Sequence, residues 1–138
     1  MTVRSFIDSN VLVYADDRSA GPKQLRARAL IREAMLARTG VLSLQVLQEY
    51  FSVATKKLGL SAAAARRRVA LVSRLDVVIL GVQDVLAAID LHRLHGFSIW
   101  DALVIRAGLN AGCRVLYSED LQDGRRIEGL EIVNPFKT

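Results

Sequence analysis

Phe6-Ile7-Asp8-Ser9-Asn10-Val11-Leu12-Val13-Tyr14 decides how the rest of the chain is read, because an apolar run stops at a carboxylate and restarts as another apolar run. Val3, Phe6 and Ile7 read as a buried strand, and Ser9 to Ala15 as the helix that follows it. Asp8 then stands at the carboxyl end of a strand. In an open parallel sheet that edge is where ligands bind, since side chains there emerge beside the amino termini of helices. A plainer reading competes: Asp, Ser and Asn are favoured helix N-caps, so Asp8 need do no more than start a helix. Choosing between the two requires the other acids of the chain.

Downstream, Pro22 suits the first turn of a helix from about Lys23 to Arg38, with Leu25, Ala29, Ile31 or Arg32 and Leu36 as a rough apolar stripe. Val41-Leu42 is a very short buried strand. Ser43 can cap a helix running to about Lys57, whose stripe is Leu44, Leu47, Phe51, Ala54 and Leu58. Glu49 lies off that stripe with no basic partner three or four residues away, which leaves a surface role and a functional role both open. Ser61 opens a further helix, and Arg66-Arg67-Arg68 wraps most of one of its turns. That triplet is either a solvated face or a contact for phosphate or an acidic partner. Asp76 to Leu80 reads as a strand, and Gln83 to His95 as a helix carrying Val85, Leu86, Ile89 and Leu94. Ser98 with Asp101 is a capping-box pattern, so Asp101 falls in the first turn of a helix reaching Asn110. Arg114 to Tyr117 is a strand that ends in Ser118-Glu119-Asp120-Leu121-Gln122-Asp123-Gly124, and Gly129 to Val133 is a last one. This alternation calls for a parallel sheet covered on both faces, in one domain spanning residues 1–138.

Composition narrows the function classes. The chain has 138 residues, 51% of them hydrophobic, which supplies a core. No apolar run approaches the roughly 20 residues that cross a bilayer, and Asp8 interrupts the amino terminus before a signal-peptide core forms. A soluble, cytoplasmic protein with no membrane contact is expected. Cys113 is the single cysteine, so an internal disulfide is excluded. His92 and His95 have a permissible ligand spacing, but no third nitrogen or sulfur ligand follows and a zinc site is not expected. The net charge of +5 points to a polyanionic partner, and fifteen of the nineteen basic residues are arginine, which suits bidentate contact with phosphate.

Taken jointly, the acids say more than any does alone. Asp8 and Asp120 end strands, Asp101 opens a helix, and Glu49 lies two turns into a helix that follows a strand. Carboxyl ends of parallel strands and amino ends of the helices after them share one edge, so these acids gather there. Clustered carboxylates repel unless protons or cations compensate. An oxygen-only ligand set selects a hard divalent cation, Mg2+ or alternatively Mn2+. The chemistry that follows is metal-assisted phosphodiester hydrolysis, with the basic surface holding a nucleic-acid backbone.

Four stretches carry a family resemblance: FIDSNVLVYA at Phe6 to Ala15, SLQVLQEYFSVATKK at Ser43 to Lys57, HGFSIWDALVIRAGLNAGC at His95 to Cys113, and VLYSEDLQDGRRIEGLEIVNPF at Val115 to Phe136. The sequence resembles the PIN-domain ribonucleases, and within them the VapC toxins of toxin-antitoxin pairs. The resemblance implies a PIN-like three-layer α/β/α fold with a short-stranded parallel sheet. It also implies an endoribonuclease whose acidic cluster falls on Asp8, Glu49, Asp101 and Asp120, with Asp123 as substitute or helper for the last. Asn10 and Ser118 match polar positions that orient those acids. A homodimer and a cognate antitoxin are implied too, with operator DNA reached only through the antitoxin.

Two rivals remain. A haloacid-dehalogenase-type phosphatase also runs an apolar strand into an Asp, but its general acid two residues later is Asn10 here. A catalytically inactive PIN-fold module that binds nucleic acid or antitoxin would keep the fold without the chemistry.

Overall fold

The computed structural model describes residues 3–137. Its strands are β1 (Ser5–Ile7), β2 (Gly40–Ser43), β3 (Asp76–Val78), β4 (Val115–Tyr117), β5 (Arg126–Ile127) and β6 (Leu130–Val133), in the sheet order β3-β2-β1-β4-β6-β5. Between them lie α1 (Ser9–Ala15), α2 (Pro22–Ala37), α3 (Leu44–Lys56), α4 (Ala62–Val72), α5 (Val82–His95) and α6 (Ile99–Asn110). The chain steps outward from β1 to β2 to β3, then returns past β1 to lay β4 on its other side. The order therefore reverses between β1 and β4, and at such a reversal a crevice opens beyond the carboxyl ends of the strands. The Asp8 amide donates to the Tyr117 carbonyl at 3.0 Å, which carries the β1–β4 ladder one step past the strands. The first residues after the two strands, Asp8 and Ser118, are thereby brought together.

Strands this short hold because both faces are covered. Phe6, Ile7, Val41, Leu42, Leu116, Leu130 and Ile132 are buried as near-continuous apolar runs, as a doubly covered parallel sheet requires. Helices α1 to α4 pack in succession, α2 and α3 each on α1 and α4 on α3. Helix α5 lies on α6, and α6 lies on β2 and β4. Close approach depends on small residues: a Cβ on Gly108 of α6 would meet Leu130 at 3.3 Å and Phe6 at 3.6 Å.

Four of the expected helix starts carry side-chain caps. Asp8, Ser43, Ser61 and Ser98 accept from the amides of Ser9, Val46, Ala64 and Asp101, and Pro22 opens α2. The expected faces fare less well. Val3 is exposed, and β1 begins at Ser5. In α2, Leu25 and Leu36 are 71% and 77% exposed, and Ala27, Leu30 and Ala34 form the buried stripe. In α3, Leu47 and Ala54 are buried as expected, but Val46 and Tyr50 replace Leu44 and Phe51. In α5, Val85, Leu86, Ile89 and Leu94 are all exposed, and only Ala88 and Leu91 are buried. For α2 the cause is the closeness of the layers. A Cβ on Gly40 would lie 2.9 Å from Ala34, so α2 meets β2 through alanine, and the larger residues are displaced to the flanks.

The sheet is also not wholly parallel. Strand β5 pairs antiparallel with β6 through the two-residue loop Glu128-Gly129, whose φ values are 49° and 88°. Two positive φ values match the hairpin turn whose twist suits the flanking strands, usually signalled by Asn-Gly or Asp-Gly. Among the described residues, no helix is long and apolar enough to cross a membrane.

Candidate active site

Asp8 is 7% exposed and is the one charged residue in the buried class among the described residues. Its two oxygens do different things. Oδ1 accepts from the Ser9 amide at 2.8 Å, which is the helix cap. Oδ2 accepts from Ser118 Oγ at 2.7 Å and from Asn10 Nδ2 at 3.3 Å, bonds that a cap does not need. The Asn10 amide is shared further, with Ser118 Oγ at 3.2 Å and Asp120 Oδ2 at 3.2 Å, and Asn10 Oδ1 accepts from the Glu119 amide at 3.1 Å. Ser118 Oγ in turn accepts from the Asp120 amide at 3.2 Å. Asn10 and Ser118 thus tie the start of α1 to the loop after β4, and Asp120 is on that loop.

Glu49 reaches the same place from α3. Ser9 Oγ donates to Glu49 Oε2 at 3.2 Å, and Gln45 Nε2 donates to Oε1 at 2.7 Å. Gln45 also donates to the Trp100 carbonyl at 3.2 Å, which links the Glu49 wall to the start of α6, where Asp101 is half-buried in the first turn. Burial pushes the Asp8 carboxyl up to about 6, and the charges of Glu49 and Asp120 add to the rise against the bonds from Ser118 and Ser9. Burial raises Asp101 as well, and the Asp120 charge adds to it. Asp120 therefore acts on both Asp8 and Asp101, and the four acids share one electrostatic environment.

Asp123 lies apart from them. Its Oδ1 accepts from the Asn134 amide at 2.8 Å and its Oδ2 from Lys137 Nζ at 3.3 Å. Those two bonds hold its carboxyl below the usual range and tie the loop to the carboxyl-terminal segment.

The donors fit a hard cation. Asp8 is a desolvated carboxylate whose nearest ionisable company is other carboxylates, so a positive charge there would relieve both burial and repulsion. Among the described residues, no histidine or cysteine joins the acids in a group that could hold an ion. His92 Nδ1 sits 2.5 Å from the Phe97 carbonyl, and burial pushes the Cys113 thiol up to about 11. Among the described residues, no three His, Cys, Asp or Glu side chains converge closely enough to hold one ion. The arrangement suits a cation that takes one or two carboxylates and completes its shell with water, which is the habit of Mg2+.

A cleft of about 850 Å3 runs from Asn10, Glu49 and Asp120 across Val13 and Val53 to Arg18 and Lys57. Sequence reasoning misses several polar residues in and around it. Gln45 escapes a search for basic partners of Glu49 at helical spacing, because its amide is neutral. Glu119 passes as a turn acid, yet it accepts from Tyr14 and Lys23, each at 2.6 Å. Burial would raise its carboxyl, and those two bonds outweigh burial and hold it low. Of the arginine triplet, Arg66 and Arg67 are exposed, while Arg68 pairs with Asp16 at 2.6 Å.

The PIN-domain family model matches residues 5–128. The chain belongs to the PIN-domain family. Solved PIN-fold structures extend the likeness over almost the whole chain. The toxin-antitoxin complex from Klebsiella pneumoniae aligns with a TM-score of 0.68 at 19% identity, covering 97% of this chain and 99% of that one. VapC20 of Mycobacterium tuberculosis, described as a sarcin-ricin loop cleaving toxin, aligns at 0.66 and 16% identity over 84% and 89%. The DNA-bound VapBC of Salmonella typhimurium aligns at 0.62 and 20% identity over 95% and 97%. At these identities the likeness is one of fold. No curated protein sequence matches this PIN domain significantly.

Proposed function

We propose that this PIN domain is a Mg2+-dependent endoribonuclease and the toxin of a VapC-type toxin-antitoxin pair. The observation that carries the reading is the second oxygen of Asp8. A carboxylate that only capped α1 would leave Oδ2 to solvent, whereas here it is buried and held by Asn10 and Ser118 beside Asp120. The alternative, an inactive module that binds nucleic acid or antitoxin, is favoured by one fact: among the described residues three carboxylates do not converge on a point.

Asp8 and Asp120 would hold the cation, with Glu49 lining the same cleft as Asp120 and Asp101 near enough for the Asp120 charge to act on it. Bound there, it would supply an acidified water as nucleophile and offset charge on the scissile phosphate. Asn10 keeps Asp8 and Asp120 at a fixed separation. Ser9 and Gln45 fix the Glu49 carboxylate, which would accept a proton from an attacking water. Asp101 lies at a helix amino terminus whose dipole favours its ionised form, against burial. Arg18 and Lys57 along the cleft suit an RNA backbone. Partners follow from the same reading: a cognate antitoxin, a second copy of the chain, and operator DNA reached through the antitoxin; the VapBC neighbour of Salmonella typhimurium is described as DNA-bound.

The test is cleavage of a total-RNA pool by purified protein with Mg2+, with EDTA, and with Asp8→Asn. Cuts that need both metal and Asp8 support the reading. Full cleavage in EDTA, or by the folded variant, refutes it.

A further inference from the structure

We propose that Glu119 and Lys23 are positioning residues for Asp120, forming with Tyr14 and Phe136 a latch that sets the acid loop and thereby its affinity for the divalent cation. The latch rests on the nuclease reading above. Glu119 stands between Ser118 and Asp120, yet its side chain serves neither. One carboxylate oxygen accepts from the Tyr14 hydroxyl of α1 at 2.6 Å, and the other from Lys23 Nζ of α2 at 2.6 Å. The ammonium of Lys23 also lies 4.9 Å from the Tyr14 ring centroid and 5.9 Å from that of Phe136. Those two rings meet edge to face at 4.9 Å.

The first three residues of the loop after β4 are thus held from both sides. On the inner side the backbone amides of Glu119 and Asp120 donate to Asn10 and Ser118. On the other side Tyr14 of α1 and Lys23 of α2 hold the Glu119 carboxylate, and Phe136 of the carboxyl-terminal segment packs on Tyr14. Asp120 itself is exposed, and its carboxylate has a single protein donor, Asn10. The like charges of Asp8 and Asp101 act on it, and on its own side chain the 3.2 Å bond from Asn10 opposes that push. Fixing its neighbours adds to that restraint. The latch also pairs the Glu119 charge with Lys23, so an added carboxylate beside the site does not add to the repulsion. Residues that orient ligand carboxylates in this way typically contribute about 10- to 100-fold to metal affinity or activity.

The experiment is a Mg2+ titration read by thermal shift without RNA, and in parallel by cleavage rate, on native protein, Glu119→Ala, Lys23→Met, the double variant and Asp120→Asn. Melting in EDTA checks that each variant folds. Glu119→Ala is expected to raise the Mg2+ midpoint about 10-fold, with the maximal rate at saturating metal changed less than about 3-fold. Lys23→Met is expected to raise it about 3-fold, and the double variant no further than Glu119→Ala alone, because the two residues act as one unit. A purely structural latch would lower the melting temperature in EDTA and leave the midpoint unmoved. The proposal is overturned if Asp120→Asn raises the midpoint while folded Glu119→Ala and Lys23→Met leave it within twofold of native. A native protein that shows neither a Mg2+-dependent shift nor cleavage overturns the nuclease reading, and the latch with it.

Discussion

Replacing Asp8 by asparagine removes the charge from the most deeply buried acid of the site and keeps its shape, so the metal-free protein is expected to become more stable as it becomes inactive. The Asp8 carboxyl ordinarily titrates near 3.8 and is pushed to about 6 by burial, then by Glu49 and Asp120, against the bonds from Ser118 and Ser9. The folded state therefore holds its proton more tightly than the unfolded chain. Stability from this group is fully present below pH 3.8 and is lost as pH rises through about 6. Above that window the ionised carboxylate costs the native state about 3 kcal/mol, since each tenfold change in proton affinity corresponds to roughly 1.4 kcal/mol. An asparagine is neutral, but its NH2 would face Ser118 Oγ, which already accepts from Asn10 and Asp120, so about 1 kcal/mol is returned as a poorer hydrogen bond. The net gain of about 2 kcal/mol corresponds to a rise of roughly 6 °C in melting temperature for a chain of this size. The assay is thermal melting in EDTA at pH 7.5 and pH 4, with and without Mg2+. Native protein should gain stability on acidification toward pH 4 and on addition of Mg2+. Asp8→Asn should be insensitive to Mg2+ and should exceed the native protein at pH 7.5 in EDTA. A variant that melts lower at pH 7.5 and regains its stability with Mg2+ would refute the reasoning, because Asp8 would then be a structural group and the cation would bind elsewhere.

Asn10→Ala removes the amide that spaces Asp8 from Asp120, and RNA cleavage at limiting Mg2+ is expected to fall about 10-fold or more, while saturating metal restores part of the rate. Asp16→Ala leaves the buried Tyr50 hydroxyl and Arg68 without their shared acceptor, and denaturant melts should show a loss of about 2–3 kcal/mol with no change in the Mg2+ midpoint. Gly40→Ala places a methyl 2.9 Å from Ala34 and Leu75 between α2 and β2, and is expected to cost about 1–3 kcal/mol by the same melts. Leu30→Ala should cost about 2–5 kcal/mol, while Leu25→Ala, at an exposed position of the same helix, should cost under about 0.5 kcal/mol.

What the sequence made legible was local. An apolar run that ends in Asp8, serines at Ser43, Ser61 and Ser98, and Pro22 each act within a few residues, and the corresponding helices begin where those signals stand. That Asp8, Glu49, Asp101 and Asp120 lie toward one edge of the sheet was legible for a related reason, since it needs only that strands run parallel and that each acid ends a strand or lies near the start of the following helix; among the described residues no three of them converge on one ion. Helix faces were not legible, because a stripe at helical spacing does not say how near the neighbouring layer comes. Leu25 and Leu36 fit the period in α2 as well as Ala27 and Ala34 do, and the choice was made by Gly40 and Leu75 in other elements. Glu128-Gly129 hid the β5–β6 hairpin for a different reason: Gly129 suits its positive φ, but Glu128 takes a left-handed φ of 49° that its side chain does not favour, so at that position the turn is enforced by strand pairing. The choice between Asp120 and Asp123 belongs to the same class. Both are turn acids three residues apart, and only the positions of Asn10 and Lys137, more than a hundred residues from one and fourteen from the other, show which faces the cleft. A site built by parallel topology is therefore read from sequence down to which strand ends supply its acids, and the side chains that hold those acids in place are read only once the layers are packed.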